Sequence, residues 1–369
     1  MTSELQTVPS NAVEGLDEHL EKRRRVLELL DSEGLGAVAL TSQPALAWYL
    51  DGARTHVNLA APPIVAAVVS REGDRVHVTS NEAHRLAVEE LPAWATIVEH
   101  PWHASVTAAA EAEALAAGGA TEGSLESGLR AARQRLTPAE VGRYRELGAN
   151  VAHLLTRTLA AASPELTERE LAARVTAGIV ELGAEPTVVL VGGASRVSDR
   201  HPLPTAAPLG ERAMVVVCAR RHGLILNATR WVRFGRRGEA ELSADRRILE
   251  VEAAYLAASR PGGSLAEAFA AGAAAYALNG FGADEWTRHH QGGVAGYAGR
   301  DPRAAPGVDV LLGTDVAFAW NPTGPGCKVE DTILSTDAGF EVLSADPEWP
   351  TVTVDVAGQP LQRPDVLEV

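Results

Sequence analysis

Three short stretches concentrate the side chains that move protons or grip charged groups. Residues 288–301, RHHQGGVAGYAGRD, set His289 beside His290, continue through glycines and Tyr297, and end on Arg300 and Asp301. SDRHPLPT carries His201, and KVEDT carries Glu330. Imidazole takes and returns a proton near neutrality with little tuning, so His201 is the candidate general acid/base. Arg300 suits a two-pronged, charge-assisted grip on a carboxylate, with Asp301 to orient it. Glu330, expected on a buried strand, needs a partner: a cationic or amidine-like nitrogen, His201, or simply Arg230. Asn227 and Asn321 both donate and accept, which fits a neutral amide or heterocycle, or else backbone groups at strand ends. Plainer roles stand beside the others: His201 as a structural histidine between Arg200 and Pro202, and Arg300 as an exposed arginine at a loop mouth.

Other chemistries fit less well. Neighbouring side chains in an extended segment point to opposite faces, so His289 and His290 are not expected to share one ion. Glycines 292, 293, 296 and 299 match neither a dinucleotide nor a Walker phosphate loop. GGASRV lacks the closing glycine of a nucleophile elbow, which leaves Ser195 a loop serine. Cys218 and Cys327 are the only cysteines, too few for a disulfide framework and wrongly spaced for zinc or redox pairs. A formal charge of −15 opposes a nucleic-acid partner. No apolar run reaches the length of a membrane span, and the polar start does not read as a signal peptide, so a cytoplasmic protein is expected.

The elements that must position these residues follow from length and periodicity. At 369 residues the chain predicts two domains. Residues 1–14 read as a flexible leader, and 15–135 as a small α/β domain with a helix before the strand GAVALTS. A hairpin around REGD and the strand ATIVEH complete its signals. A second domain, 136–345, opens at LTPAEVGRYRELGANVAHLL, where Thr137, Pro138 and Glu140 make a helix start. The same device recurs at Thr167 and Glu170, with Gly183 near the stop. Strands TVVLVGG, AMVVVCAR and GLILNATRWVRF follow, then two long helices, then strands DVLL, DVAFAW, KVEDTILST and FEVLS. Two helices, strands, two helices and strands form a duplicated α+β plan. Residues 346–369 are left as a C-terminal extension.

This order of elements, with DRHPLPT, HGLILNATRWVRFG, RPGGSLAEAF and NPTGPGCKVEDTILSTDAGFEVLS in sequence, resembles the creatinase and aminopeptidase P family over about residues 17–345. The resemblance implies a pita-bread second domain preceded by a creatinase-like lid domain. Most such enzymes are metallopeptidases that hold two ions with two aspartates, a histidine and two glutamates. Their positions fall here at Val216, Asn227, Gly293, Asn321 and Glu330, of which only Glu330 is a suitable ligand. The resemblance therefore implies a divergent member without the metal pair, closer to creatinase, which cleaves a C–N bond without metal. It points to a hydrolase or lyase acting on a small carboxylate-bearing molecule, with no metal or other cofactor. His201 matches the family's catalytic histidine loop; YAGRD resembles the creatinase-like ending of the glycine segment, with Tyr297 and Arg300. His289 and His290 join the substrate-binding candidates. Arg54 stands where creatinase-type lids reach a neighbouring subunit, which implies a homodimer. Two alternatives remain: a non-catalytic binding protein of the same fold, and an Xaa-Pro peptidase with an atypical metal site.

Overall fold

The structure, a computed structural model, describes the backbone of residues 10–369 and side chains from Asp17 onward. It divides into two compact units, Met1–Ala139 and Glu140–Val369. Of the expected leader, residues 1–9 lie outside the described residues, while 10–14 already belong to helix α1 (Ser10–Glu33).

In the first unit α1 is followed by β1 (Ala37–Leu40), α2 (Gln43–Tyr49) and the hairpin β2 (Val65–Ser70) and β3 (Gly73–Thr79). A one-turn helix α3 (Ala83–Arg85), β4 (Thr96–His100), α4 (Val106–Ala116), β5 (Ala120–Thr121) and α5 (Glu126–Gln134) complete it. The strands form one sheet in the order β4-β3-β2-β1-β5. Small residues let α4 lie close on that sheet, with Ala110 and Ala114 packed against Ala37, Ala39, Ala66 and Val68.

The second unit follows the expected α+β plan, and its turns show why. Helices α6 (Pro138–Ala160) and α7 (Glu168–Glu181) lead into it. The start of α7 is a capping box: Thr167 Oγ1 accepts from the Glu170 amide, and the Glu170 carboxylate accepts from the Thr167 amide. Strands β6 (Glu185–Gly192), β7 (Arg212–Arg221) and β8 (Leu224–Arg233) form an antiparallel meander. Helices α8 (Glu239–Ala258) and α9 (Leu265–Leu278) come next, α9 with its own capping box at Ser264 and Glu267. They cover a core in which Tyr255 stacks on Trp320 at 4.4 Å between ring centres, a contact worth roughly 1 kcal/mol beyond its buried area.

The later strands differ from expectation. DVLL is not a strand; Leu311 makes one isolated bridge to Ser264. The sheet there contains β9 (Val294–Ala295), β10 (Val316–Phe318), β13 (Ile333–Thr336) and β14 (Gly339–Val342), in the order β14-β13-β10-β9. KVEDTILST is not one strand either. After the small hairpin β11 (Thr323–Gly324) and β12 (Cys327–Lys328), residues 329–332 leave strand pairing and bond sideways to β8. The Thr229 amide donates to the Glu330 carbonyl at 2.9 Å, and the Asn227 amide donates to Thr332 Oγ1 at 2.8 Å. That detour joins the two halves of the unit, and Glu330 sits on it. Residues 346–369, expected as an extension, are part of the second unit: β15 (Thr351–Val356) pairs with β16 (Gln359–Pro364), and β17 (Leu367–Glu368) runs parallel to β8.

Candidate active site

In the β7–β8 hairpin Val216 pairs with Thr229 and Cys218 with Asn227. Strand alternation puts these four side chains on one face. Three of them, Val216, Cys218 and Asn227, line a cavity of about 340 Å³ in the second unit. His201 and His290 line it too, with Arg300, Arg303, Asn321, Lys328 and Glu330.

Among the described residues that line the cavity, Glu330 is the one carboxylate, and it is committed on both oxygens. Its Oε1 accepts from Arg300 at 2.7 Å; its Oε2 accepts from the Thr229 hydroxyl at 2.9 Å and faces Lys328 Nζ at 3.4 Å. Burial alone would raise its pKa, but Lys328 and then Arg300 outweigh burial and hold the carboxyl at about 2. The partner is thus neither His201 nor Arg230, which pairs with Asp331 at 2.8 Å. Asn227 accepts from the Cys218 thiol at 3.2 Å and donates to the Ile225 carbonyl at 3.2 Å. Burial, then Glu330, pushes that thiol up to about 12, so it is protonated at neutral pH. Asn321 Oδ1 is buried without a protein hydrogen bond.

The histidines correct the expectation that neighbours diverge. His289 and His290 stack at 4.4 Å between ring centres, and His289 Nε2 lies 3.0 Å from His201 Nε2. The pleat rule fails because the segment is no strand: it leaves a 3-10 turn at Arg288 and runs into Gly292 and Gly293, with φ of 111° and 143°. Burial, then Lys328, holds His289 at about 2; burial, then Arg300, holds His290 at about 3. His201 is lowered too, by burial first and then Lys328. All three rings are therefore neutral near pH 7, and across the 3.0 Å contact one ring donates while the other accepts. Nitrogens of the three rings lie within 4.8 Å of one another, a spacing an ion can use. Lys328, Arg300 and Arg303 act on the same rings as positive charges and oppose a cation there.

The remaining candidates separate. Tyr297 is buried away from the cavity lining, its hydroxyl donating to Glu140 at 2.6 Å, which corrects its assignment to substrate. Arg54 lies in the first unit, where its backbone amide and guanidinium both bond Glu90. Glycines 292 and 293 mark close backbone approaches: a Cβ on Gly292 would meet the Ala319 carbonyl at 2.2 Å, and one on Gly293 the Pro302 carbonyl at 2.5 Å. Sequence reasoning missed Lys328 and Arg303. Lys328 carried a signal, because in an extended segment it shares a face with Glu330, two residues on. Arg303, in RDPR, carried none beyond its nearness to Arg300.

The chain has the pita-bread fold of prolidases and Xaa-Pro dipeptidases. Prolidase from Pyrococcus horikoshii OT3 matches with a TM-score of 0.71 at 17% identity, covering 88% of this chain and 98% of its own. Dipeptidase PepE from Mycobacterium ulcerans matches with 0.73 at 18% identity, covering 96% and 99%. The N-terminal domain of the FACT complex subunit SPT16 from Cicer arietinum matches with 0.65 at 12% identity, covering 89% and 96%. No family model matches the sequence, and no curated protein does. No described helix is long and apolar enough to cross a membrane.

Proposed function

We propose that this chain is a divergent relative of the pita-bread peptidases that hydrolyses, or eliminates across, a C–N bond of a small carboxylate-bearing substrate without a metal ion. The observation that carries the reading is the state of Glu330. A two-metal centre needs several anionic ligands to hold hard cations and generate hydroxide. Of the five positions that the family resemblance assigns to ligands, Val216, Asn227, Asn321 and Glu330 line this cavity, and one of them is a carboxylate. That carboxylate is engaged by a guanidinium and an ammonium. At the fifth position, Gly293, a side chain would strike the Pro302 carbonyl. The residues present do not fit two ions; fixed cations stand around the carboxylate instead.

In this reading His201, neutral at working pH, removes a proton from water or from substrate carbon and returns it to the leaving nitrogen. His289, in contact with its Nε2, is a positioning residue that fixes which ring nitrogen carries the proton. The cationic wall grips the carboxylate, and Asn227 and Asn321 supply the neutral polar contacts. Two fold neighbours, a prolidase and a dipeptidase, are by name hydrolases of C–N bonds. The test is turnover of a panel of N-substituted amino acids, ureas, amidines and cyclic amides by wild type and His201→Ala, each treated with chelator. The reading expects chelator-resistant turnover that His201→Ala abolishes.

A second reading has its own observation. The His201 Nε2 is already engaged by His289, and the same fold occurs in a subunit of a larger complex. A binding protein without chemistry would show no turnover on any panel member, yet retain ligand affinity in His201→Ala.

A further inference from the structure

The cavity's charges do not balance. Among the described residues that line it, three cationic side chains, Arg300, Arg303 and Lys328, face one carboxylate, Glu330, which leaves an excess of two positive charges. The histidines do not add to it, being held neutral. Nor is the excess spent elsewhere. Arg303 is exposed and makes no ion pair among the described residues. Arg300 Nε is buried without a hydrogen-bond partner. Lys328 meets Glu330 only at 3.4 Å, beyond an ordinary hydrogen bond. A buried charged donor without an acceptor is costly, and a bound anion supplies what Arg300 Nε lacks.

The positive groups also lie at different depths. The Lys328 and Arg300 side chains are 3% and 6% exposed, whereas Arg303 is open to solvent. One compact tetrahedral anion does not use both levels; a short molecule with an acid at each end does. A space of about 340 Å³ is at the small end of ligand sites and suits such a molecule.

We propose that this cavity binds a small dicarboxylate, one carboxylate held at the floor by Lys328 and Arg300 and the other at the mouth by Arg303. The proposal deepens the functional reading above and rests on its choice of cavity, but it concerns binding and requires no turnover.

Calorimetry with unreactive probes tests it: succinate and glutarate, the monoacids butyrate and valerate, the diamide succinamide, and inorganic phosphate. Wild type is expected to bind a dicarboxylate at least about tenfold more tightly than the monoacid of matching length. Arg303→Gln should remove most of that preference while leaving monoacid binding and the unfolding midpoint unchanged. Equal affinity for mono- and dicarboxylates overturns the proposal, as does phosphate binding more tightly than either dicarboxylate, or full preference retained in Arg303→Gln. Dicarboxylate preference without turnover on any panel sinks the enzyme reading and leaves this one standing; turnover confined to monocarboxylates does the reverse.

Discussion

Glu330 and Asp331 are consecutive, both buried, and sit in opposite electrostatic settings. Asp331 belongs to a closed network: Arg230 at 2.8 Å and Arg363 at 2.9 Å pair with it, while Arg363 also grips Glu252 with two bonds of 2.6 Å. Two guanidinium groups meet two carboxylates, and none of the four side chains is more than 3% exposed. Glu330 instead faces a cavity in which cations outnumber it. A balanced, enclosed network holds the C-terminal strands on α8, whereas an unbalanced one beside open volume waits for a ligand. Burial alone would not have told them apart.

The largest expected effect breaks the closed side. Arg363→Ala leaves Glu252 and Asp331 without their shared partner, and such losses cost roughly 3–5 kcal/mol. Denaturant unfolding should show it, while Arg303→Gln on the open side stays within about 0.5 kcal/mol of wild type. Comparable losses in both would erase the distinction. Next comes His201→Ala, which should lower turnover by about 10²–10⁴ with little change in stability, because the ring is exposed. Parallel loss of activity and folding would make His201 structural. Gly293→His is expected to destabilise by roughly 1–3 kcal/mol, since the added Cβ meets the Pro302 carbonyl and φ is 143°. An unchanged midpoint would mean the position tolerates the family's ligand after all.

The last test is in pH. His289 and His290 are held at about 2 and about 3, below their ordinary 6.5, so the unfolded chain binds more protons across that interval. Stability therefore rises with pH and is fully present above about 6.5. It falls as pH drops from there toward about 3. The depressed Glu330 acts in the same sense lower down, its contribution lost as pH falls through about 2. His290→Asn should flatten the upper limb of the unfolding midpoint plotted against pH. A wild-type profile flat from pH 7 to 5 would contradict the buried neutral pair.

These tests also mark what the sequence made legible. The capping box at Thr167 and Glu170 and the alternation of β7 and β8 were readable because each depends on local periodicity, and motif order singled out His201, Asn227, Asn321 and Glu330, which line one cavity. The stacked histidines were not, because two positive-φ glycines set the path of their segment. KVEDTILST read as one strand, yet its residues 329–332 bond sideways to β8, a tertiary choice no local pattern encodes. Tyr297 looked like a pocket aromatic because it lies three residues before Arg300; its partner, Glu140, is 157 residues away in sequence. The charge excess needed the structure, since it depends on which arginines meet carboxylates and which do not.

The central claim is that fixed cations, not metal ions, surround Glu330. Elemental analysis of protein incubated with manganese, cobalt or zinc and then desalted tests it most directly. The account predicts no ion retained in stoichiometric amount and activity indifferent to chelator; retention of about two ions per chain, lost in Glu330→Gln, would contradict it.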